Sequence, residues 1–182
     1  MGKYFGTDGV RGVAGADLTC EMAMLIGRGA AAVLTSSTGH KPRILIGKDT
    51  RQSGDMLEAA LTAGLCSVGA DVESLGVVPT PAVAYLVRKY NADAGVVISA
   101  SHNPMEFNGI KIFAGTGYKL PDDVEEEIEA HIDDKCAGIP LATGDGVGRV
   151  TCRIDGIKDY VEHLYESIGG DLSGLNVCID CA

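Results

Sequence analysis

The residues most able to do chemistry stand together in Ser99-Ala100-Ser101-His102-Asn103-Pro104. They offer a hydroxyl nucleophile, an adjacent imidazole, an amide, and a proline that narrows the backbone choices of the loop. Seven residues beyond Pro104 comes Lys111, in Asn108-Gly109-Ile110-Lys111. If the strand carrying Lys111 folds back beside the strand before the loop, its ammonium can reach a phosphate on Ser101. A serine that stores a dianionic phosphoryl group needs such donors, because the charge must be stabilised where water is scarce. Taken singly, each residue has an ordinary role: serines bond their own turns, and a histidine or lysine is often just solvated. Their grouping on one strand–loop–strand unit favours the chemical reading.

Two further runs combine glycine with cations. FGTDGVRG at 5–12 places three glycines around Asp8 and Arg11, and GKDTRQSG at 47–54 follows an apolar run directly. In the second run Asp49, Thr50 and Ser53 suit the start of the next helix as capping residues. It is not a P-loop, since the upstream glycine is absent and Asp49 replaces Ser/Thr after Lys48. Gly144-Asp145-Gly146-Val147-Gly148 lacks the dinucleotide-binding pattern and follows no strand signal.

The elements that must hold these residues alternate. Helical patterns cover 18–34, with Thr19 as N-cap, 54–68, with Gly69 just past its end, and 80–90, opened by Thr80-Pro81. Strand patterns cover 43–47, 71–76, 94–98 and 110–113, the last expected to pair as a hairpin with the one before. AGVVI at 94–98 is apolar throughout, as a strand buried on both faces should be, and the loop from Ser99 to Asn108 leaves its carboxyl end. There ligands gather in open α/β sheets. Pro121 to Asp134 is an acidic helix with Val124, Ile128 and Ile132 on its buried stripe and its eight acidic residues expected on a solvated face. Residues 135–150 read as an irregular boundary loop, followed by a helix near 157–168 and a strand over 175–180. The expected fold is a three-layer α/β/α sandwich with a mostly parallel mixed sheet over residues 1–152. Residues 153–182 read as the linker helix and first strand of a second, truncated domain.

Composition narrows the function. A net charge of −10 argues against a nucleic-acid partner, which needs a basic patch. No apolar run is long enough for a membrane span, and the first residues lack the apolar core of a signal peptide. Six cysteines show no disulfide-framework spacing, and Cys178 and Cys181 have no second Cys/His pair to complete a zinc site. The cysteines are expected to be buried and reduced, in a cytoplasmic protein.

The order and spacing of FGTDGVRG, GKDTRQSG, ISASHNP at 98–104 and NGIKIF at 108–113 resemble the phosphohexomutases. The start at FGTDGVRG, with LGVVPTPAVAYL at 75–86 and ADAGVVISASHNP at 92–104, is similar to the branch acting on an amino sugar. LNVCIDCA at 175–182 resembles the first strand of that family's second domain. The resemblance implies an isomerase that moves phosphate between O6 and O1 of glucosamine phosphate, in the making of amino-sugar nucleotides for cell-wall precursors. Ser101 matches the phosphorylated serine, which gives its group to the sugar and takes back the other phosphate from a glucosamine 1,6-bisphosphate. Lys111 and Arg11 match positions for charge stabilisation and proton transfer, and His102 a supporting one. Mg²⁺ is implied at the phosphate of Ser101, its remaining ligands beyond residue 182, so the stretch alone is expected to be inactive. A phosphosugar is the implied partner, without nucleic acid or membrane, and a homodimer is compatible with the reading. Alternatives are a phosphomannomutase or phosphoglucomutase, and a non-catalytic module that binds a phosphorylated ligand.

Overall fold

The computed structural model describes residues 2–180. Its six-stranded sheet runs in the order β1 (Val10–Val13), β5 (Phe107–Ala114), β4 (Ala94–Ile98), β2 (Arg43–Lys48), β3 (Asp71–Val77) and β6 (Val150–Cys152). β4, β2, β3 and β6 pair in parallel; β5 is antiparallel to both β4 and β1, so it alone runs against the rest. Helices α1 (Cys20–Thr38), α2 (Ser53–Ser67) and α4 (Asp122–Asp133) cover one face. Helices α3 (Thr80–Lys89) and α5 (Gly156–Ile168) cover the other. The sandwich and its mixed, mostly parallel sheet are thus as expected. β4 shows why: Ala94, Val96 and Ile98 enter one core and Val97 the other, so an unbroken apolar run satisfies both faces. No helix among the described residues is long and apolar enough to cross a membrane.

Several expectations need correcting. β1 has no apolar run to announce it; VRGV becomes a strand because β5 offers it an edge, in the register Val10–Ile110 and Arg11–Gly109. β6 lies where the irregular loop gives way, with all three residues exposed, and exists through pairing with β3. Residues 175–180 form no strand, and the side chains of Leu175, Val177 and Ile179 are exposed. Cys178 and Cys152 are exposed rather than buried, as free thiols, and Cys181 lies outside the described residues. Helix α5, assigned to a linker, packs on α3, where Tyr160 is buried and His163 stacks on Tyr85 at 3.9 Å.

The acidic helix also departs from a uniformly solvated face, because Glu125 and Glu129 are buried. Glu129 Oε1 accepts from the backbone N–H of Tyr4 (2.6 Å) and Phe5 (2.7 Å), and Oε2 from that of Lys3 (2.9 Å). One carboxylate thereby fastens the segment that leads into FGTDGVRG. Burial alone would raise this carboxyl, but the three donors outweigh it and hold Glu129 below its usual range. A depressed folded value stabilises the protein above the unfolded pKa and is lost as pH falls through the folded one. Glu129→Gln is therefore expected to cost about 1–3 kcal/mol near neutral pH, since its amide NH₂ must face a backbone donor. Urea melts should show that penalty shrinking below about pH 4, where carboxylates protonate. A penalty that does not change with pH would mean the charge contributes nothing.

Candidate functional site

The loop after β4 and the loop after β2 leave the sheet at the same end, as neighbouring parallel strands require. Between residues 49–52 and 101–105 lies an open groove of about 590 Å³, lined by Asp49, Thr50, Arg51, Gln52, Ser101, Asn103 and Met105. Ser101 is exposed and adopts φ 55°, a left-handed conformation uncommon for a residue with a Cβ. Such strain persists only where the surroundings over-determine it. Its Oγ lies 3.3 Å from His102 Nδ1, which can accept the hydroxyl proton in one tautomer and donate in the other.

Lys111 arrives from β5, which pairs with β4, and Arg11 from β1 on the far side of β5. Arg11 pairs with Gly109 across β1 and β5, and Lys111 pairs with Val97 across β5 and β4. Gly109 must lack a side chain here, because a Cβ would stand 2.8 Å from the Ser99 carbonyl and 2.9 Å from Arg11 Cγ. Arg11 thus packs across the glycine to which the Ser101 loop is tied, Ser99 N–H donating to the Gly109 carbonyl at 2.9 Å. The partner of both cations is Asp8, at 3.5 Å from Arg11 Nη2 and 3.6 Å from Lys111 Nζ. The structure therefore brings Ser101 to His102 and Arg11 to Lys111, the two pairs joined through Gly109.

Asp49, Thr50 and Ser53 do not cap α2 in the expected way, as no side chain caps its start. Asp49 instead accepts from Ser99 Oγ (2.7 Å) and from Arg51 Nε (3.1 Å), and Ser53 Oγ accepts from Asn108 Nδ2 (2.9 Å). Arg51 is the residue that sequence reasoning missed. Its guanidinium donates to the carbonyls of Ser101 (3.0 Å), Asn103 (2.7 Å), Pro104 (2.7 Å) and Phe107 (3.0 Å). The available signal was its position just past β2, which pairs in the sheet with β4, the strand that leads into the Ser101 loop.

The residues present do not by themselves fit a magnesium ion. Among the described residues no three His, Cys, Asp or Glu side chains converge on one point. Asp49, which lines the groove with Ser101, is committed to Arg51 and Ser99, and Asp8 sits between Arg11 and Lys111. A hard cation wants several oxygen ligands free to face it. Calorimetry on residues 1–182 should accordingly find only weak Mg²⁺ binding, and tight one-to-one binding would show a ligand set the geometry lacks.

The family model described as phosphoglucomutase/phosphomannomutase, alpha/beta/alpha domain I, matches residues 2–137. Two curated relatives carry the name phosphoglucosamine mutase. One, from Acetivibrio thermocellus, is 61% identical over 182 residues; the other, from Clostridium acetobutylicum, is 57% identical over 182. Both matches cover all of this chain and 40% of the relative, so the chain spans about two fifths of their length. A solved phosphoglucomutase/phosphomannomutase family protein from Burkholderia thailandensis superposes with a TM-score of 0.72 at 26% identity, over 90% of this chain and 35% of that one. A phosphoglucomutase from Paramecium, at 17% identity and a TM-score of 0.67 over 91% and 35%, shares the fold.

Proposed function

We propose that this chain, which belongs to the phosphoglucomutase/phosphomannomutase family, supplies the phosphoryl-carrying serine of a phosphosugar mutase, and that Ser101 is that serine. The observation that carries the reading is Ser101 itself, held left-handed and exposed at the carboxyl end of β4, with its Oγ beside His102 Nδ1. In the forward step the Ser101 Oγ–P bond breaks as a bond forms from phosphorus to a sugar hydroxyl oxygen. The proton lost by that hydroxyl ends on Ser101 Oγ, and His102 is placed to hold it in transit. The bisphosphorylated sugar turns over in the site, and Ser101 takes back the other phosphate. Arg11 and Lys111 stabilise the charge on the moving group by exchanging their partner Asp8 for its oxygens.

The names of the curated relatives support an amino-sugar substrate, glucosamine 6-phosphate becoming glucosamine 1-phosphate for nucleotide-sugar synthesis in the cytoplasm. Their length supports residues 153–182 as the approach to a second domain, from which further ligands for the phosphate and its magnesium would come. Nothing in residues 1–182 obviously reads a 2-amino group, so sugar choice is assigned to parts beyond them. Two measurements on the complete protein test the reading. Mass spectrometry after incubation with the sugar bisphosphate should find one phosphate, on Ser101; its absence would favour a binding module. Side by side, kcat/KM should be higher for glucosamine 6-phosphate than for glucose or mannose phosphates by roughly 10-fold or more. Equal use of mannose 6-phosphate would move the protein to the phosphomannomutase branch and leave the Ser101 chemistry standing.

A further inference from the structure

We propose that Arg51 is a positioning residue for phosphoryl transfer, holding Ser101 in its reactive left-handed conformation without touching the sugar phosphate. The proposal rests on the reading of Ser101 as the phosphoryl carrier. All five guanidinium donors are used. Nη1 and Nη2 serve the four carbonyls of Ser101, Asn103, Pro104 and Phe107, and Nε serves Asp49 Oδ2. The Arg51 side chain is only 12% exposed, and its own backbone N–H donates to Asp49 Oδ1 at 2.9 Å.

The two peptide groups that flank Ser101 end on the same ion pair. The carbonyl of Ser101 accepts from Arg51, while its amide donates to Ser99 Oγ at 3.1 Å, and Ser99 Oγ donates to Asp49 Oδ2. With both flanking peptides pinned, φ and ψ of Ser101 have little freedom, and the left-handed form is retained. The carbonyls matter in a second way. Each is the negative end of a peptide dipole, and one turned towards a dianionic phosphoryl group would oppose it. A carbonyl committed to Arg51 cannot do so. Lysine cannot substitute, because three donors on one nitrogen cannot span oxygens spread from 101 to 107 and the carboxylate of Asp49 as well.

The test uses the complete protein and the variants Arg51→Lys and Arg51→Ala. Turnover should fall roughly 10- to 100-fold, as a small misplacement of a reacting group commonly costs. KM for the sugar phosphate should stay within about 3-fold, since no substrate contact is lost. Millimolar ethylguanidinium should restore part of the turnover of Arg51→Ala, and methylammonium should not. Independently of activity, amide hydrogen exchange in the 99–107 peptide should speed up in Arg51→Lys. Unchanged turnover and exchange in Arg51→Lys would overturn the proposal. So would a rise in KM at constant kcat, which would make Arg51 a substrate ligand. A loss of thermal stability without rescue would leave it merely structural, which also overturns the proposal. If Arg51→Lys does not fold, Ser99→Ala removes the tie from the Ser101 amide to Asp49 and is read by the same exchange and kcat measurements; no change in either overturns the idea. Ser101→Ala run in parallel separates the two readings. An active Ser101→Ala variant refutes the serine assignment, whereas a dead one beside a normal Arg51→Lys refutes only the role of Arg51.

Discussion

Ser101→Ala in the complete protein is expected to lower mutase turnover by roughly 10⁴-fold or more, the scale seen when a covalent nucleophile is removed. Folding should be almost untouched. Ser101 is exposed, its hydroxyl is hydrogen-bonded to His102, and Ala carries the same Cβ into the left-handed region as Ser does. Ser101→Gly sharpens the experiment. Glycine adopts φ 55° without the cost of about 1 kcal/mol that a Cβ brings there, so this variant should be dead yet keep its melting temperature. That combination is what a strained functional residue predicts. Ser99→Ala should be much milder, because Ser99 relays a hydrogen bond to the Ser101 amide and carries no phosphate. Most of the activity surviving in Ser101→Ala, with no phosphate found on another residue, would end the assignment.

Arg11→Ala and Lys111→Ala form the second large effect. Each should reduce turnover by roughly 10²-fold or more, as the loss of a preorganised electrostatic donor does. The stability ledger points the other way. Both side chains are about a quarter exposed, and their partner Asp8 is 53% exposed, so these ion pairs are surface pairs worth well under about 1 kcal/mol. Activity and stability should therefore separate cleanly. Scanning calorimetry with steady-state kinetics reads both, and the deciding result is which one moves. A large fall in melting temperature with near-normal turnover would make Arg11 and Lys111 structural. Raised ionic strength should affect the wild type and both variants alike in stability, since the screened pairs contribute little.

Much of the frame was legible in the amino-acid sequence because it is local. The AGVVI run, the Thr19 cap, which accepts from Met22 N–H at 3.2 Å, and the stripe Leu57, Leu61, Leu65 each declare an element through periodicity or capping chemistry. The proposed nucleophile could be picked out too, because Ser101, His102, Asn103 and Pro104 are neighbours in the chain and their residue types restrict the chemistry. The edge strands were not. VRGV and VTC become strands only because β5 and β3 present open ladders, and nothing in either tripeptide or tetrapeptide says so. Residues 175–180 show the reverse, an apolar alternation that forms no strand where no ladder meets it.

The same division runs through the site. Sequence by itself determined which side chains carry protons and charge: the hydroxyl of Ser101, the imidazole of His102, the cations of Arg11 and Lys111. Tertiary structure alone decided what each does with its partners. Asp49 looked like a helix cap and turned out to bind Ser99 and Arg51, because the parallel pairing of β2 and β4 sets two loops side by side that lie 50 residues apart in the chain. Glu129 looked like one acid on a solvated helix and turned out to be a buried anchor, because three backbone donors from residues 3–5 reach it across 124 to 126 residues. A hydrogen bond between distant residues depends on how strands and helices stack, and that information is held in the packing of the core rather than in any short run of residues.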